Sequence, residues 1–121
     1  MLNAKRRVPV LSDWTALLWG VAIGYLSLSP APALPTLSNN DKLEHFAAYC
    51  VLGFLGTLSR RSKYSTFSML IAIIAYGGAI EVVQHYVDRH MELGDFIANT
   101  CGALLGATIV TISNSIAIRN P

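Results

Sequence analysis

Four apolar runs set the architecture of this chain, at residues 14–29, 43–58, 65–87 and 95–118. Spanning a bilayer takes roughly 20 residues, with a range of about 17 to 25. The third and fourth runs reach that length. The first and second are short, so they either sit upright or thin the bilayer locally. The polar residues within and beside these runs fall in stripes. Glu81, Gln84, His85 and Asp88 are spaced by three, four and seven from the first of them, which puts all four on one helix face. Asp41, His45 and Tyr49 make a similar stripe at the second run, and Asp95, Asn99, Gly102 and Gly106 at the fourth. A polar stripe on an apolar helix is too costly to face lipid, so the stripes are expected to face one another. The pattern predicts an all-α, polytopic integral membrane bundle of four transmembrane helices, one domain over 1–121, with a polar cluster inside it.

Composition sharpens this picture. Hydrophobic residues make up 53% of the 121 positions and charged residues only 13%, where about 25% charged is typical of a soluble domain. A soluble fold of this length could not hide so much apolar surface. The net charge of +2 is modest. There is no basic face interleaved with aromatics, so nucleic acid is not an expected partner. The expected partner is the bilayer itself. Cys50 and Cys101 lie inside apolar runs without CxxC spacing, and read as small buried thiols rather than a disulfide scaffold.

Charge placement gives an orientation. Lys5, Arg6 and Arg7 precede the first run, Arg60, Arg61 and Lys63 join the second to the third, and Arg119 follows the fourth. The positive-inside rule makes that side cytoplasmic, with both termini. Lys42, Arg89, all three histidines and every acidic residue except Asp13 fall toward the other side. A basic start, an apolar stretch and Ala31 and Ala33 also fit a signal peptide. Trp14, Trp19 and Tyr25 are bulky for a signal core, however, and Pro30, Pro32 and Pro35 suit a stiff outer loop. The expectation is therefore a retained first helix.

Local signals fix some ends. Asn40 or Asp41 is a natural N-cap for the second helix, and Glu44 stands at capping-box spacing from Asp41. The short stretch from Asp88 to Gly94 predicts that the third and fourth helices pack antiparallel. Gly102-Ala103-Leu104-Leu105-Gly106 is a GxxxG motif that permits close backbone approach, with Gly77-Gly78 as a candidate counterpart.

The stripes bring a carboxylate, an imidazole, a carboxamide and two cations to one depth. Glu81 lies six residues before Val87, about 9 Å below that end at 1.5 Å per residue. His45, Glu81 and Asp95 are the candidate catalytic residues, able to move protons. Lys42 and Arg89 are candidates to hold a phosphate or carboxylate. Asp41, Gln84 and Asn99 complete the binding set. Two other readings use the same residues. One is a hydrogen-bond network that only glues helices, with Glu81 paired to Arg89. The other is a divalent metal on His45, Glu81, His85 and Asp95, whose ligand types fit but which has no compact motif such as HExxH. The sequence expectation is thus no metal and no cofactor. A nucleophilic triad has no motif around Tyr49 or Thr100, the nearest hydroxyls.

Three ordered pieces of the chain resemble a known family. Asp41-Lys42-Leu43-Glu44-His45-Phe46, followed by Tyr49 and Leu52-Gly53, resembles the opening signature of VanZ-like membrane proteins. Glu81-Val82-Val83-Gln84 resembles their Glu-x-x-Gln element. Arg89, Asp95, Asn99 and Gly102 resemble their Arg-to-Asp-x-x-x-Asn-x-x-Gly element. The resemblance covers Asp41 to Gly106. It implies a small polytopic protein of the bacterial cell envelope, in the cytoplasmic membrane. The family's name-giving member confers low-level resistance to teicoplanin, so a link to glycopeptide resistance is one expectation. The leading expectation is action on, or binding of, a membrane lipid headgroup or lipid-linked cell-wall precursor. The alternative is a non-enzymatic module that binds lipid or a partner, with a purely structural polar cluster.

Overall fold

The computed structural model describes residues 11–29, 41–60, 62–87 and 92–119, with the backbone alone for Asp41, Ile118 and Arg119. Four helices form within them: α1 (Leu11–Leu28), α2 (Asp41–Thr57), α3 (Lys63–Gln84) and α4 (Leu93–Arg119). Among the described residues there is no strand. The basic start, the proline-rich loop, Arg61, Asp88, Arg89 and His90 lie outside the described residues.

Local chemistry explains several ends. Ser62 caps α3, its hydroxyl accepting from the Ser65 N–H at 3.1 Å, which satisfies one of the donors a helix start leaves unpaired. α3 ends at Gln84, three residues short of the apolar run. Tyr86 and Val87 then donate to the carbonyls of Val83 and Gln84, the tighter i→i−3 pattern common at helix ends. At α4 the Asp95 and Phe96 N–H groups both reach the Glu92 carbonyl. Asp95 in the first turn suits the positive end of the helix dipole.

The side-chain contacts fix the helix directions. Ser59 of the α2–α3 link donates to Asp13 at 2.8 Å, while the Trp19 indole donates to the Ala48 carbonyl at 2.9 Å. α1 and α2 therefore run antiparallel. Tyr76 donates to the Gly20 carbonyl at 2.5 Å and Gln84 to the Ser27 carbonyl at 2.9 Å, so α1 and α3 run parallel. Gly78 sits against Phe96 and Gly77 against Asn99, with Glu81 near Glu92; α3 and α4 are antiparallel, as the short connection predicts. The bundle is thus up-down-up-down, with α2 and α4 parallel.

The α2–α4 pair is the tightest contact in the fold. A Cβ at Gly102 would collide with the Phe46 carbonyl oxygen and reach the Cys50 nitrogen at 3.0 Å. A Cβ at Gly106 would collide with the Cys50 carbonyl oxygen and reach the Phe54 nitrogen at 2.6 Å. Gly53 answers from α2, backed directly by Ala103. The GxxxG motif thus opens onto the α2 backbone rather than onto Gly77-Gly78. That pair meets α4 nearer its start, at Phe96 and Asn99.

Three helices, α1, α3 and α4, are long and apolar enough to cross a membrane. At 17 residues α2 is about 25 Å long. The outward faces are apolar: Leu18, Val21, Phe67, Ile71, Ile97 and Ile112 are all exposed. In water such a surface would be costly; in lipid it is the solvent-facing side. Cys101 is also exposed and Cys50 half-buried, both free, so the expectation of two buried thiols does not hold. α4 turns Cys101 outward because Gly102 and Ala103 take the inner positions.

At one end Asp13, the acidic residue on the basic side, accepts from Ser59 and lies 3.9 Å from the Arg60 guanidinium. Arg60 also donates to the Gly56 carbonyl and the Ser65 hydroxyl. The polar cluster sits toward the opposite end.

Candidate functional site

Four of the residues singled out in the sequence converge between the start of α2, the end of α3 and the start of α4. His45 Nδ1 lies 2.9 Å from Asn99 Oδ1, and His45 Nε2 lies 3.7 Å from Asp95 Oδ2. One ligand-capable atom from each of His45, Glu81 and Asp95 falls within 4.8 Å of the other two. The parallel α2–α4 register sets this geometry: it places His45 beside Asn99 as it places Phe46 beside Gly102. α3 delivers Glu81 from the antiparallel direction.

Burial here is severe for polar groups. Tyr49, Glu81, Gln84, Asp95 and Asn99 are all less than a tenth exposed. Five buried polar atoms have no hydrogen-bond partner among the described residues: Tyr49 Oη, Glu81 Oε1, Gln84 Oε1, Asp95 Oδ1 and Asn99 Nδ2. Buried polar atoms are ordinarily satisfied, because leaving one unpaired costs roughly 1–3 kcal/mol. Tyr49 Oη and Asn99 Nδ2 both lie against Gly77, where a side chain would press on them. Asn99 contacts His45, which groups with Glu81 and Asp95, so four of these five residues belong to one cluster; Gln84 faces α1 instead.

Lys42 stands at the rim, about half-exposed, and is already engaged. Its ammonium donates to Glu92 Oε2 at 2.9 Å and lies 3.7 Å from Asp95 Oδ1. Glu92 also donates its backbone N–H to Glu81 Oε2 at 3.4 Å. Glu92 was not singled out in the sequence. Its spacing of three before Asp95 is the signal that could have found it, since such residues share a helix face.

The other candidates divide. Gln84 shares the face of Glu81, but its amide is held by Ser27 of α1. His85, just past the end of α3, is exposed and stacks edge-on with Tyr86 at 5.3 Å, so it does not join the cluster. The Asp41 side chain and Arg89 lie outside the described residues. An apolar cavity of about 500 Å³ lies between α1, α2 and α3, lined by Leu17, Gly20, Leu52, Met69, Ile73 and Tyr76. It is displaced from the cluster toward the Asp13–Arg60 end, and both of those side chains join its lining.

Four helices with apolar outer faces around a buried polar cluster define a helical membrane protein. Residues 8–114 match the VanZ/LLP1 family, and the chain belongs to it. No curated protein matches the chain, and no solved structure does.

Proposed function

We propose that this VanZ-like protein acts in the bacterial cell envelope, where its polar cluster binds, and chemically acts on, the headgroup of a membrane lipid or lipid-linked cell-wall precursor. The observation that carries this reading is the clustering of Tyr49, Glu81, Asp95 and Asn99 from α2, α3 and α4, each with a buried polar atom that lacks a hydrogen bond among the described residues. Fold maintenance alone does not call for two buried carboxylates, since a charge at the bilayer centre costs about 2.5 to 3.5 kcal/mol on insertion scales and neutral amides would bond as well. Glu81, His45 and Asp95 are the candidates for proton transfer. Lys42, Asn99 and Gln84, with Asp41 and Arg89, are the candidates for holding the headgroup.

The cluster faces the extracytoplasmic side in this reading. Arg60, Lys63 and the end of α4 lie at the opposite end of the bundle, and the positive-inside rule draws that end to the cytoplasm. α2 then serves as the fourth span, because it runs antiparallel to α1 and α3 and lies at the lower limit of spanning length. Reporter fusions after Leu37 and Met91 should be active only outside, and fusions after Ser62 and Pro121 only inside. An outward C-terminus would reverse the orientation.

A strain lacking the protein tests the function. Envelope lipids and wall precursors are compared with and without it, and teicoplanin susceptibility is measured alongside. We expect one lipid or precursor species to accumulate on deletion and to clear on restoration. Identical lipid and precursor profiles would sink the reading. The interhelical bonds of Gln84 to Ser27 and Trp19 to Ala48 favour a second reading, a non-enzymatic module in which such groups only join helices.

A further inference from the structure

We propose that His45, Glu81 and Asp95 form a binding site for one divalent transition-metal ion, held between α2, α3 and α4. The three residues come from three different helices, yet their ligand-capable atoms all lie within 4.8 Å of one another. Metal–nitrogen and metal–oxygen bonds of about 2.0–2.2 Å place neighbouring ligands of a tetrahedral site roughly 3.4 Å apart. Side-chain rotations that draw the ligand atoms in by about 1 Å complete the geometry.

The orientation of His45 is the first argument. With the Asn99 carboxamide oxygen 2.9 Å from Nδ1, that nitrogen donates, because an amide oxygen only accepts. In the neutral ring this leaves the Nε2 lone pair facing Asp95 Oδ2 at 3.7 Å, too far for a hydrogen bond. Metal-bound histidines are held this way, with the second ring nitrogen donating to an oxygen. Asn99 fills that orienting position.

The second argument is charge. Glu81 is 4% exposed and Asp95 7%. Each has one carboxylate oxygen with no hydrogen-bond partner among the described residues. Two carboxylates buried this close repel each other and are poorly hydrated. Lys42 pairs with Asp95 at 3.7 Å and more closely with Glu92 at 2.9 Å, so a single ammonium is shared between these two side chains. A divalent ion bound by one oxygen of each carboxylate and by Nε2 neutralises the pair and uses the lone pair. One imidazole with two carboxylates suits zinc, manganese or ferrous iron, whereas calcium and magnesium take oxygen ligands almost alone. Three protein ligands leave a further position open.

The inference concerns metal uptake by the protein alone and does not depend on any lipid. The full chain, purified in detergent and stripped with chelator, is titrated with Co²⁺ and followed by visible absorption, then challenged with Zn²⁺. We expect one equivalent of Co²⁺ to bind and Zn²⁺ to displace it. Asn99→Ala should weaken binding by about 10–100-fold through loss of histidine orientation. Glu81→Gln should weaken it further, with helicity by circular dichroism reporting that the fold is kept. X-ray absorption on the zinc form should give nitrogen and oxygen ligands only. A wild-type protein that takes up no Co²⁺ overturns the proposal whatever the variants do. So does a sulfur ligand, or equal affinity in wild type and a folded Glu81→Gln.

Discussion

Gly106→Val is expected to prevent stable assembly of the bundle, and Gly106→Ala to weaken it. Two terms oppose each other in the alanine variant. Alanine in a helix interior is favoured over glycine by roughly 0.5–1 kcal/mol. Against this, the new Cβ would collide with the Cys50 carbonyl oxygen and sit 2.6 Å from the Phe54 nitrogen. Both are backbone atoms, so no side chain can swing away and the helices must part. Overpacking of this kind costs typically about 1–3 kcal/mol, and it wins. Valine adds two further methyl groups to the same contact. Gly20→Ala is the matched control. Its Cβ meets Leu52 Cδ1 at 3.8 Å, an ordinary contact, so the propensity term should prevail and the variant should be neutral or slightly more stable. Thermal unfolding in detergent, followed by circular dichroism, reads both. If Gly106→Ala melts with or above wild type, the close α2–α4 approach is wrong. The site would fail with it, because the same register brings His45 to Asn99 and Lys42 to Asp95.

Much of this arrangement was legible in the sequence, for a physical reason. Helical periodicity reports which face of a helix is polar, and lipid forbids such faces from pointing outward. Hence His45, Glu81, Asp95 and Asn99 could be placed together before any coordinates. The short Asp88–Gly94 stretch likewise carried the antiparallel α3–α4 pairing. Periodicity does not report which neighbour a face meets. The GxxxG motif read as a close-approach surface, but its partner is the α2 backbone at Phe46, Cys50 and Phe54. Nothing in those residue types announces that role, because the contact is with main-chain atoms. The same holds for Gln84, whose acceptor is the Ser27 carbonyl, and for Trp19, whose acceptor is the Ala48 carbonyl. Main-chain acceptors exist at every residue, so sequence cannot single one out. His85 left the stripe because α3 ends at Gln84, and the apolar run gave no sign of that stop. Lys42 read as an anion contact, but Glu92 and Asp95 flank it, so the cluster carries more negative charge than the sequence pattern suggested.

Glu81→Gln is expected to keep the fold and abolish function. The amide is nearly the same shape as the carboxylate and can still accept from the Glu92 N–H. Its interhelical hydrogen bonding should change stability little, since such bonds average about 0.6 kcal/mol in membranes. Proton transfer by a positioned side chain is worth roughly 10²- to 10⁴-fold in rate. Removing the ionisable group should therefore leave the deletion phenotype in place while the protein is made and inserted normally. Glu81→Leu divides the two accounts of the cluster. A buried ionic group replaced by an apolar one is often tolerated, with effects from neutral to a few kcal/mol. If the carboxylate serves chemistry, both variants fold and both are inactive. If it serves as helix glue, Leu, which cannot hydrogen-bond, should lower the melting temperature clearly below that of Gln, and Gln should restore the wild-type lipid profile. Full function in both variants would remove Glu81 from the site altogether. The measurement pairs thermal unfolding of the purified variants with the envelope lipid profile of the strains that carry them. Stability alone cannot separate a site from a scaffold, whereas the two readouts moving apart in Glu81→Gln can.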